Sequence, residues 1–196
     1  APFKQQVKER GLWAAHLPPG HGGCGMGQLR LALLHEVLGR SVLAPEIFGC
    51  QAPDSGNAEL LAAGANEAQA RRWLEPLLAG HVRSSFALTE PHNSGSDPTG
   101  ITTRCERDGE EWVINGHKWF ASNASVADFI LMMVVTNPDN PPHKAASMII
   151  IPLQTVIPEE LAFRGVLHGA MDRAWGWRGV TAAGSLLFGL WHIASS

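Results

Sequence analysis

Hydroxyl side chains and unhindered backbone are concentrated in one short turn of the sequence, "FALTEPHNSGSD" (86–97). Thr89, Ser94, Gly95 and Ser96 follow a strand-like run, and a turn of this composition presents several N–H and O–H donors together. Such donors suit an anion or the polar edge of a flat cofactor. A capped turn without any ligand uses the same residue types, so the turn by itself leaves both interpretations open.

A second candidate is the glycine-rich stretch "GHGGCGMG" (20–27), which invites comparison with a dinucleotide-binding loop. Loops that bind a dinucleotide phosphate follow a strand and open a helix. This stretch instead follows a predicted helix and two prolines, Pro18 and Pro19. The context therefore favours a loop between two helices.

A third candidate is a pattern of ionisable residues near the end of the sequence. Glu159, Glu160 and Arg164 form E-E-x-x-x-R, and Phe188 and His192 form F-x-x-x-H. On a helix, Glu160 and Arg164 are one turn apart, where a salt bridge contributes roughly 0.2–0.5 kcal/mol. Taken together, the two motifs resemble the CAAX-protease family of intramembrane peptidases, in which such residues are thought to activate a water. Ionisable residues at membrane depth are expensive and so suggest function.

The elements that position these motifs are helical over residues 1–82. Periodic apolar residues predict a helix in "FKQQVKERGLWAAHLP" that ends near Gly11, and another from its N-cap Asn66 to Gly80. Pro76 lies inside the latter helix and should kink it or mark its last turns. Between them, "QLRLALLHEVLGRS" predicts a helix that ends at Gly39 and has one apolar face, formed by Leu31, Leu34, Val37 and Leu38.

From residue 83 onward the pattern changes to that of strands. Asp108-Gly109 and Asn115-Gly116 are the strongest short hairpin signals, because both central residues of a type I′ turn need positive φ. "DFILMMVVTN" and "AASMIIIPL" predict two further strands around a proline-rich loop. The order predicts an α+β fold: a helical N-terminal domain (1–82), an antiparallel β-barrel-like domain (83–155), and a C-terminal apolar helical tail (156–196).

Several motifs in this order resemble the acyl-CoA dehydrogenase family, and within it the long-chain branch. Thr89-Glu90-Pro91 and Gly95-Ser96-Asp97 are similar to the family's "TEP" and "GSD" motifs, and "INGHKWF" (114–120) is similar to its "INGxKxW" strand. Upstream, "GLWAAHLPPGHGGCGM" and "RRWLEPLLAG" resemble its helical N-terminal domain. The resemblance covers residues 1–155 and implies an oxidoreductase that binds FAD.

The resemblance also implies which residues contact the flavin. Those residues are Phe86, Leu88, Thr89, Gly95, Ser96, Phe120, Ala121 and Ser122. Phe86, Leu88 and Thr89 are expected along the flavin, while Ser96 is expected to reach the flavin phosphate or the acyl-CoA substrate. Phe120 stands where the family usually has tryptophan, which keeps the aromatic face and loses the indole N–H. A pair of core aromatics on a strand is the alternative interpretation of "WF".

The implied reaction is α,β-dehydrogenation of an acyl-CoA thioester, in which FAD takes a hydride and a glutamate base takes the α-proton. The family's base lies in a helical bundle expected after the β-domain, whereas residues 156–196 carry the peptidase-like motif. The sequence therefore predicts a truncated or fused fragment, with no catalytic base and no metal ligand assigned. A peptidase fragment and a non-catalytic fusion product are the alternatives. Acyl chain length and electron acceptor stay open.

Composition sets the remaining expectations. A formal net charge of -3 over 196 residues gives no basic patch, so nucleic acid is not an expected partner. Three widely spaced cysteines and the lack of a signal sequence predict a cytoplasmic protein with reduced thiols. The apolar stretch 179–196 is marginal against the ~20 residues of a membrane helix, so membrane association and a buried helix are both open. A homo-oligomer is expected if the protein is complete.

Overall fold

The computed structural model describes residues 2–95 and 97–153. Its described helices are α1 (Pro2–Glu9), α2 (Gln28–Leu38), α3 (Ala44–Ile47), α4 (Asp54–Gly64), α5 (Glu67–Gln69), α6 (Glu75–Ala79) and α7 (Pro142–Ala145). Its described strands are β1 (Ser84–Ala87), β2 (Arg104–Asp108), β3 (Glu111–Asn115), β4 (Phe129–Val135) and β5 (Ala146–Pro152). Apart from the end of β5, these elements lie in one compact unit, Ala1–Ile151.

Residues 67–79 form one helical segment that is widened in the middle. The Asn66 side chain accepts the N–H of Gln69, and the Gln69 side chain accepts the N–H of Asn66, which makes a capping box. Residues 70–74 are π-helical, and the N–H of Glu75 donates to the carbonyl of Ala70, five residues earlier. Because Pro76 lacks an N–H and crowds the carbonyl four residues back, the irregularity predicted there takes the form of this π turn.

Helix α2 is apolar on two faces, and only one of them is packed within the described part of the chain. Leu38 is buried, but Leu29, Leu33 and Val37 are mostly exposed. These three are spaced by four residues and so form one stripe along the helix. The prediction that Val37 belongs to the packed face is wrong, because its position on the helix turns it towards the exposed stripe.

The sheet is mixed and open, which corrects the expectation of an antiparallel β-barrel-like domain. Its strand order is β1-β4-β2-β3, and β5 also pairs with β4. Strand β1 runs parallel to β4, and β2 meets β4 in parallel through Arg104 opposite Val135. Strands β2 and β3 form an antiparallel hairpin. Tight turns predict antiparallel neighbours, but they give no information on strands such as β1 and β4 that are joined by a long connection.

The first predicted hairpin turn, at Asp108-Gly109, forms between β2 and β3. Asp108 lies opposite Glu111, so the turn residues are Gly109 and Glu110. Gly109 has φ of +60°. Positive φ at the first central residue alone suits glycine in a type II′ turn, not the type I′ turn predicted.

The second predicted turn, at Asn115-Gly116, does not form. Strand β3 ends at Asn115, and the chain continues to residue 121 without regular secondary structure. A Cβ on Gly116 would lie 2.6 Å from Thr103 Cα. The glycine is therefore required by a close approach of two backbones and not by a reversal of the chain.

The core lies between the helices and strand β4. Phe129 is fully buried, and its ring packs at 5.0 Å from that of Trp73 in the π-helical turn. The buried apolar cluster comprises Ala14, Leu17, Ala58, Leu61, Leu74, Leu77, Phe129 and Leu131. Residues from both the helical and the strand-forming parts of the chain thus share one core.

A buried polar seam fixes helix α4 to strand β1. Asp54 accepts hydrogen bonds from the N–H and hydroxyl of Ser84, at 2.8 and 2.7 Å, and from Arg83 Nε at 2.6 Å. Asn57 donates through Nδ2 to Ser84 Oγ (2.9 Å) and to the carbonyl of Ser85 (3.0 Å). Since both acidic and amide groups are paired, the seam sets the position of β1 without leaving these polar groups unsatisfied.

No described helix is long and apolar enough to cross a membrane. The apolar helical tail predicted for 156–196, including the stretch 179–196, lies outside the described residues. Cys24, Cys50 and Cys105 are all free thiols.

We predict that Asn57→Ala lowers the free energy of unfolding by about 1–3 kcal/mol, because it removes two buried hydrogen bonds, to Ser84 Oγ and to the carbonyl of Ser85. Urea denaturation followed by circular dichroism measures the change. The matched control is Asn140→Ala, which removes an exposed amide and should change the free energy of unfolding by less than about 0.5 kcal/mol. Equal effects of the two variants would contradict the role of the seam.

Candidate functional site

The predicted site begins where strand β1 ends. Phe86 lies in β1 and is half-buried, and Leu88 and Thr89 follow it, also half-buried. Parallel pairing with β4 places Phe86 opposite Leu131 of the core. The strand therefore carries Leu88 and Thr89 from the core towards the surface.

Glu90, the next residue, is buried and accepts hydrogen bonds from two successive threonines. Its Oε2 accepts from the N–H and hydroxyl of Thr102, both at 2.7 Å. Its Oε1 accepts from the N–H of Thr103 at 2.9 Å and from its hydroxyl at 2.6 Å. Because Thr103 directly precedes β2, the carboxylate fixes the start of the hairpin beside the end of β1.

Lys118 completes this cluster. Its Nζ donates to Glu90 Oε1 at 2.8 Å and to the carbonyl of Leu88 at 3.0 Å. The side chains of Lys118 and Glu90 are only 6% and 4% exposed. One residue on, the N–H of Trp119 donates to the carbonyl of Thr89 at 3.0 Å. The segment after β3 is thereby fastened alongside residues 88–90.

Burial of Glu90 would raise the pKa of its carboxyl, but the hydrogen bonds from Lys118, Thr103 and Thr102 outweigh burial and leave the pKa far below its ordinary value of 4.5. The carboxylate is therefore ionised throughout the physiological pH range. Its lone pairs are occupied by five donors. Glu90 cannot serve as a proton acceptor in this arrangement.

Phe120 is presented outward on an unusual backbone conformation. Its φ is +52°, a region that side chains other than glycine rarely adopt. Its ring is 80% exposed and lies 4.8 Å from the ring of Trp119. The interpretation of Trp119 and Phe120 as core aromatics is therefore wrong, because both rings are exposed on the surface of the described part.

The turn after Phe120 supplies polar groups beside this ring. Ala121 is half-buried and Ser122 is exposed. Asn123 has φ of +68°, which asparagine tolerates, and its buried Nδ2 finds no acceptor among the described residues. The N–H of Ala124 closes the turn on the carbonyl of Ala121 at 3.2 Å.

The glycine-containing loop also approaches Thr89. Thr89 Oγ1 is 3.5 Å from the carbonyl of Gly95, a long contact that leaves the hydroxyl available to a ligand. Asp97 accepts from the N–H and hydroxyl of Thr99 and so caps the short helix Pro98–Gly100. Ser96, the predicted substrate contact, lies outside the described residues.

These groups are of the types that suit a flat ligand with a polar edge. An exposed ring at Phe120 offers a face, and the hydroxyls of Thr89 and Ser122 offer donors, whereas Asn123 Nδ2 is buried without an acceptor among the described residues. Sequence reasoning missed Asn123, Glu90 and Lys118 as members of the site. The signal available for the pair was an acid and a lysine of opposite charge, each next to large apolar residues, in "ALTEP" and "GHKWF".

Comparison with known proteins gives two family matches. Residues 2–81 match the model of the acyl-CoA dehydrogenase N-terminal domain, and residues 85–188 match that of the acyl-CoA dehydrogenase middle domain. The comparisons give no support to the peptidase-like interpretation, because the middle-domain match runs through Glu159, Glu160 and Arg164. These residues and His192 lie outside the described residues.

Similar proteins cover most of this chain and exceed it in length. "Acyl-CoA dehydrogenase family member 11" of Mus musculus is 39% identical over 156 residues, which are 78% of this chain and 20% of the mouse protein. A solved Mycobacterium abscessus structure described as an acyl-CoA dehydrogenase is 38% identical, with a TM-score of 0.73, over 79% of this chain and 39% of that one. The crystal structure of glutaryl-CoA dehydrogenase from Mycobacterium smegmatis is 27% identical, with a TM-score of 0.62, over 80% of this chain and 39% of that one. The chain spans at most about two fifths of these proteins.

We predict that Glu90→Gln flattens the dependence of stability on pH. A carboxyl whose pKa is depressed by folding stabilises the protein above its unfolded pKa near 4.5, and this contribution is lost as pH falls through the lower folded pKa. The variant should lose about 3 kcal/mol of unfolding free energy at pH 7, and the difference from the wild type should shrink below pH 4.5. Urea denaturation between pH 7 and pH 2.5 measures both.

The control for this prediction is Glu106→Gln, which neutralises an exposed carboxylate on β2. It should follow the wild-type profile closely. A difference between wild type and Glu90→Gln that stays constant with pH would contradict a folding-linked carboxylate at Glu90.

Proposed function

The chain belongs to the acyl-CoA dehydrogenase family, and from that premise we propose that residues 86–89 and 120–122 form the FAD-binding edge of a dehydrogenase acting on acyl-CoA thioesters. The observation that carries the proposal is the fastening of the segment Trp119–Ser122 beside Leu88 and Thr89. These hydrogen bonds set two segments that are about thirty residues apart in sequence side by side, which supports one shared site for the predicted flavin contacts.

The chemistry that FAD supplies when bound is acceptance of a hydride from the β-carbon of the thioester. The residues of this chain bind the cofactor and orient it. The Phe120 ring covers one face of a flat ligand. The ring is available for this contact because it is exposed. The hydroxyls of Thr89 and Ser122 donate hydrogen bonds to the polar edge. Phe86 and Leu88 line the side that continues into the core and limit access of water.

The α-proton must be removed by a carboxylate whose pKa lies near the working pH. Glu90 directly follows the predicted ligand contact Thr89, and its five donors and depressed pKa rule it out as that base. We therefore assign binding and orientation to this region, and no catalytic base. The acyl-CoA substrate is supported by the family matches and by the likeness to glutaryl-CoA dehydrogenase. We also propose that the chain associates with further copies of itself.

We predict that Phe120→Ala weakens FAD binding by about tenfold, because the lost aromatic contact is worth ~1.4 kcal/mol. Ser122→Ala should weaken it by a similar factor through the loss of one hydrogen bond. The dissociation constant is measured by titrating FAD and following the quenching of its fluorescence. For the wild type, the expected result is a protein that retains FAD and is therefore yellow.

The matched control is Trp112→Ala, which removes an exposed aromatic residue from the β2–β3 hairpin, outside the site. FAD affinity should be unchanged in this variant. If Trp112→Ala and Phe120→Ala weakened binding equally, or if the wild-type chain bound no FAD, the proposed site would be rejected.

A further inference from the structure

We propose that Glu90 and Lys118 are positioning residues, whose buried contact holds the Phe120 ring in the outward orientation that the ligand edge requires. The inference rests on the proposed function for the identity of the ligand, FAD. The orientation of the ring itself is measurable without any ligand.

The pair joins both sides of the site. Lys118 Nζ binds Glu90 Oε1 and, in addition, the carbonyl of Leu88. Glu90 is itself fixed by Thr102 and Thr103 at the start of β2. The lysine therefore ties the segment that carries Phe120 to the end of β1 and, through Glu90, to the hairpin.

Phe120 depends on such an anchor, because its own packing is slight. Its ring is 80% exposed, and Trp119, which it contacts, is itself partly exposed. Its backbone is in the left-handed region, which relaxes unless the surrounding structure enforces it. The enforcement comes from two sides: Lys118 and the N–H of Trp119 before it, and the Ala121–Ala124 turn after it.

A purely stabilising role would not need this arrangement. Buried ion pairs lose much of their attraction to desolvation and are often replaceable by apolar residues without loss of stability. Here the ammonium group also holds a backbone carbonyl, that of Leu88, directly before the predicted ligand contact Thr89. The contact therefore fixes the relative position of the two segments, and specific positioning is the property that an apolar substitute would lack.

The test uses the full chain labelled with 5-fluorotryptophan and observed by fluorine NMR. The resonance of Trp119 is assigned with Trp119→Phe. Trp73, which packs on Phe129 in the core, is assigned with Trp73→Phe and serves as the internal reference. In Lys118→Met, the Trp119 resonance should broaden or shift towards its unfolded position while the Trp73 resonance stays in place. Lys118→Arg should restore the wild-type Trp119 signal at least in part.

The matched control is Lys4→Met, which removes a lysine that pairs with Glu46 at 3.1 Å on the helical part of the chain. Both resonances should be unchanged in it. An unaltered Trp119 signal in Lys118→Met would overturn the proposal, as would parallel shifts of Trp119 and Trp73, since these indicate general destabilisation. If Lys118→Met does not fold, the double variant Glu90→Gln/Lys118→Met removes both charges and gives the same readout. If neither the single nor the double variant folds, Glu90 and Lys118 act by stabilising the fold, and the proposal is overturned.

FAD titration separates this inference from the proposed function. Lys118→Met should bind FAD about tenfold more weakly, as expected for loss of a buried charge-assisted hydrogen bond, with Trp73 unaltered. A wild-type chain that binds no FAD would reject the proposed function, while the fluorine signals would still decide whether the pair positions the ring. Equal FAD affinity of wild type and Lys118→Met would reject the positioning role and leave the proposed function intact.

Discussion

The buried carboxylate of Glu90 is the interaction on which the arrangement of the strand-forming region depends. A charge that is removed from water must be compensated by donors that are already in place, or the carboxyl becomes protonated. Thr102, Thr103 and Lys118 supply those donors from two different parts of the chain. Since each of the three compensates part of the buried charge, the end of β1, the start of β2 and the segment after β3 are fixed relative to one another.

Strand β1 is held by polar contacts at both of its ends. At its first residues, Asp54 and Asn57 of helix α4 bind Ser84 and the carbonyl of Ser85. Just beyond its last residue, Glu90 makes the contacts described above. A strand of four residues has few ladder hydrogen bonds of its own, so its position must be set by its neighbours. The two polar clusters thereby transmit the geometry of the helical part to the candidate site.

The sequence predicted the class of each element better than the way the elements pair. Hydrophobic periodicity located α1, α2 and the helical segment 67–79 but not α4, and Asp108-Gly109 located a true hairpin. The same reasoning failed at Asn115-Gly116, because a dipeptide pattern does not show which residue lies opposite. Glycine is required at position 116 by the close approach of Thr103. Parallel pairing of β1 with β4 and the clustering of Glu90 with Lys118 are contacts between distant parts of the chain. Local patterns carry no information on such contacts. The resemblance to a family gave part of this information, because its "TEP" and "INGxKxW" motifs contain Glu90 and Lys118.

The chemical state of Glu90 is compatible with the positioning role proposed for it and incompatible with a role in proton transfer. A general base needs a free lone pair and a pKa close to the working pH. A positioning carboxylate needs the opposite: every lone pair occupied and a pKa held low, so that its charge, and with it the geometry, is constant with pH. Glu90 meets the second set of requirements through Lys118 and the two threonines. Any change that freed it to accept a proton would also release Lys118, and with it the segment that presents Phe120. A site of this design can orient a ligand with precision only by giving up the reactivity of the acid at its centre.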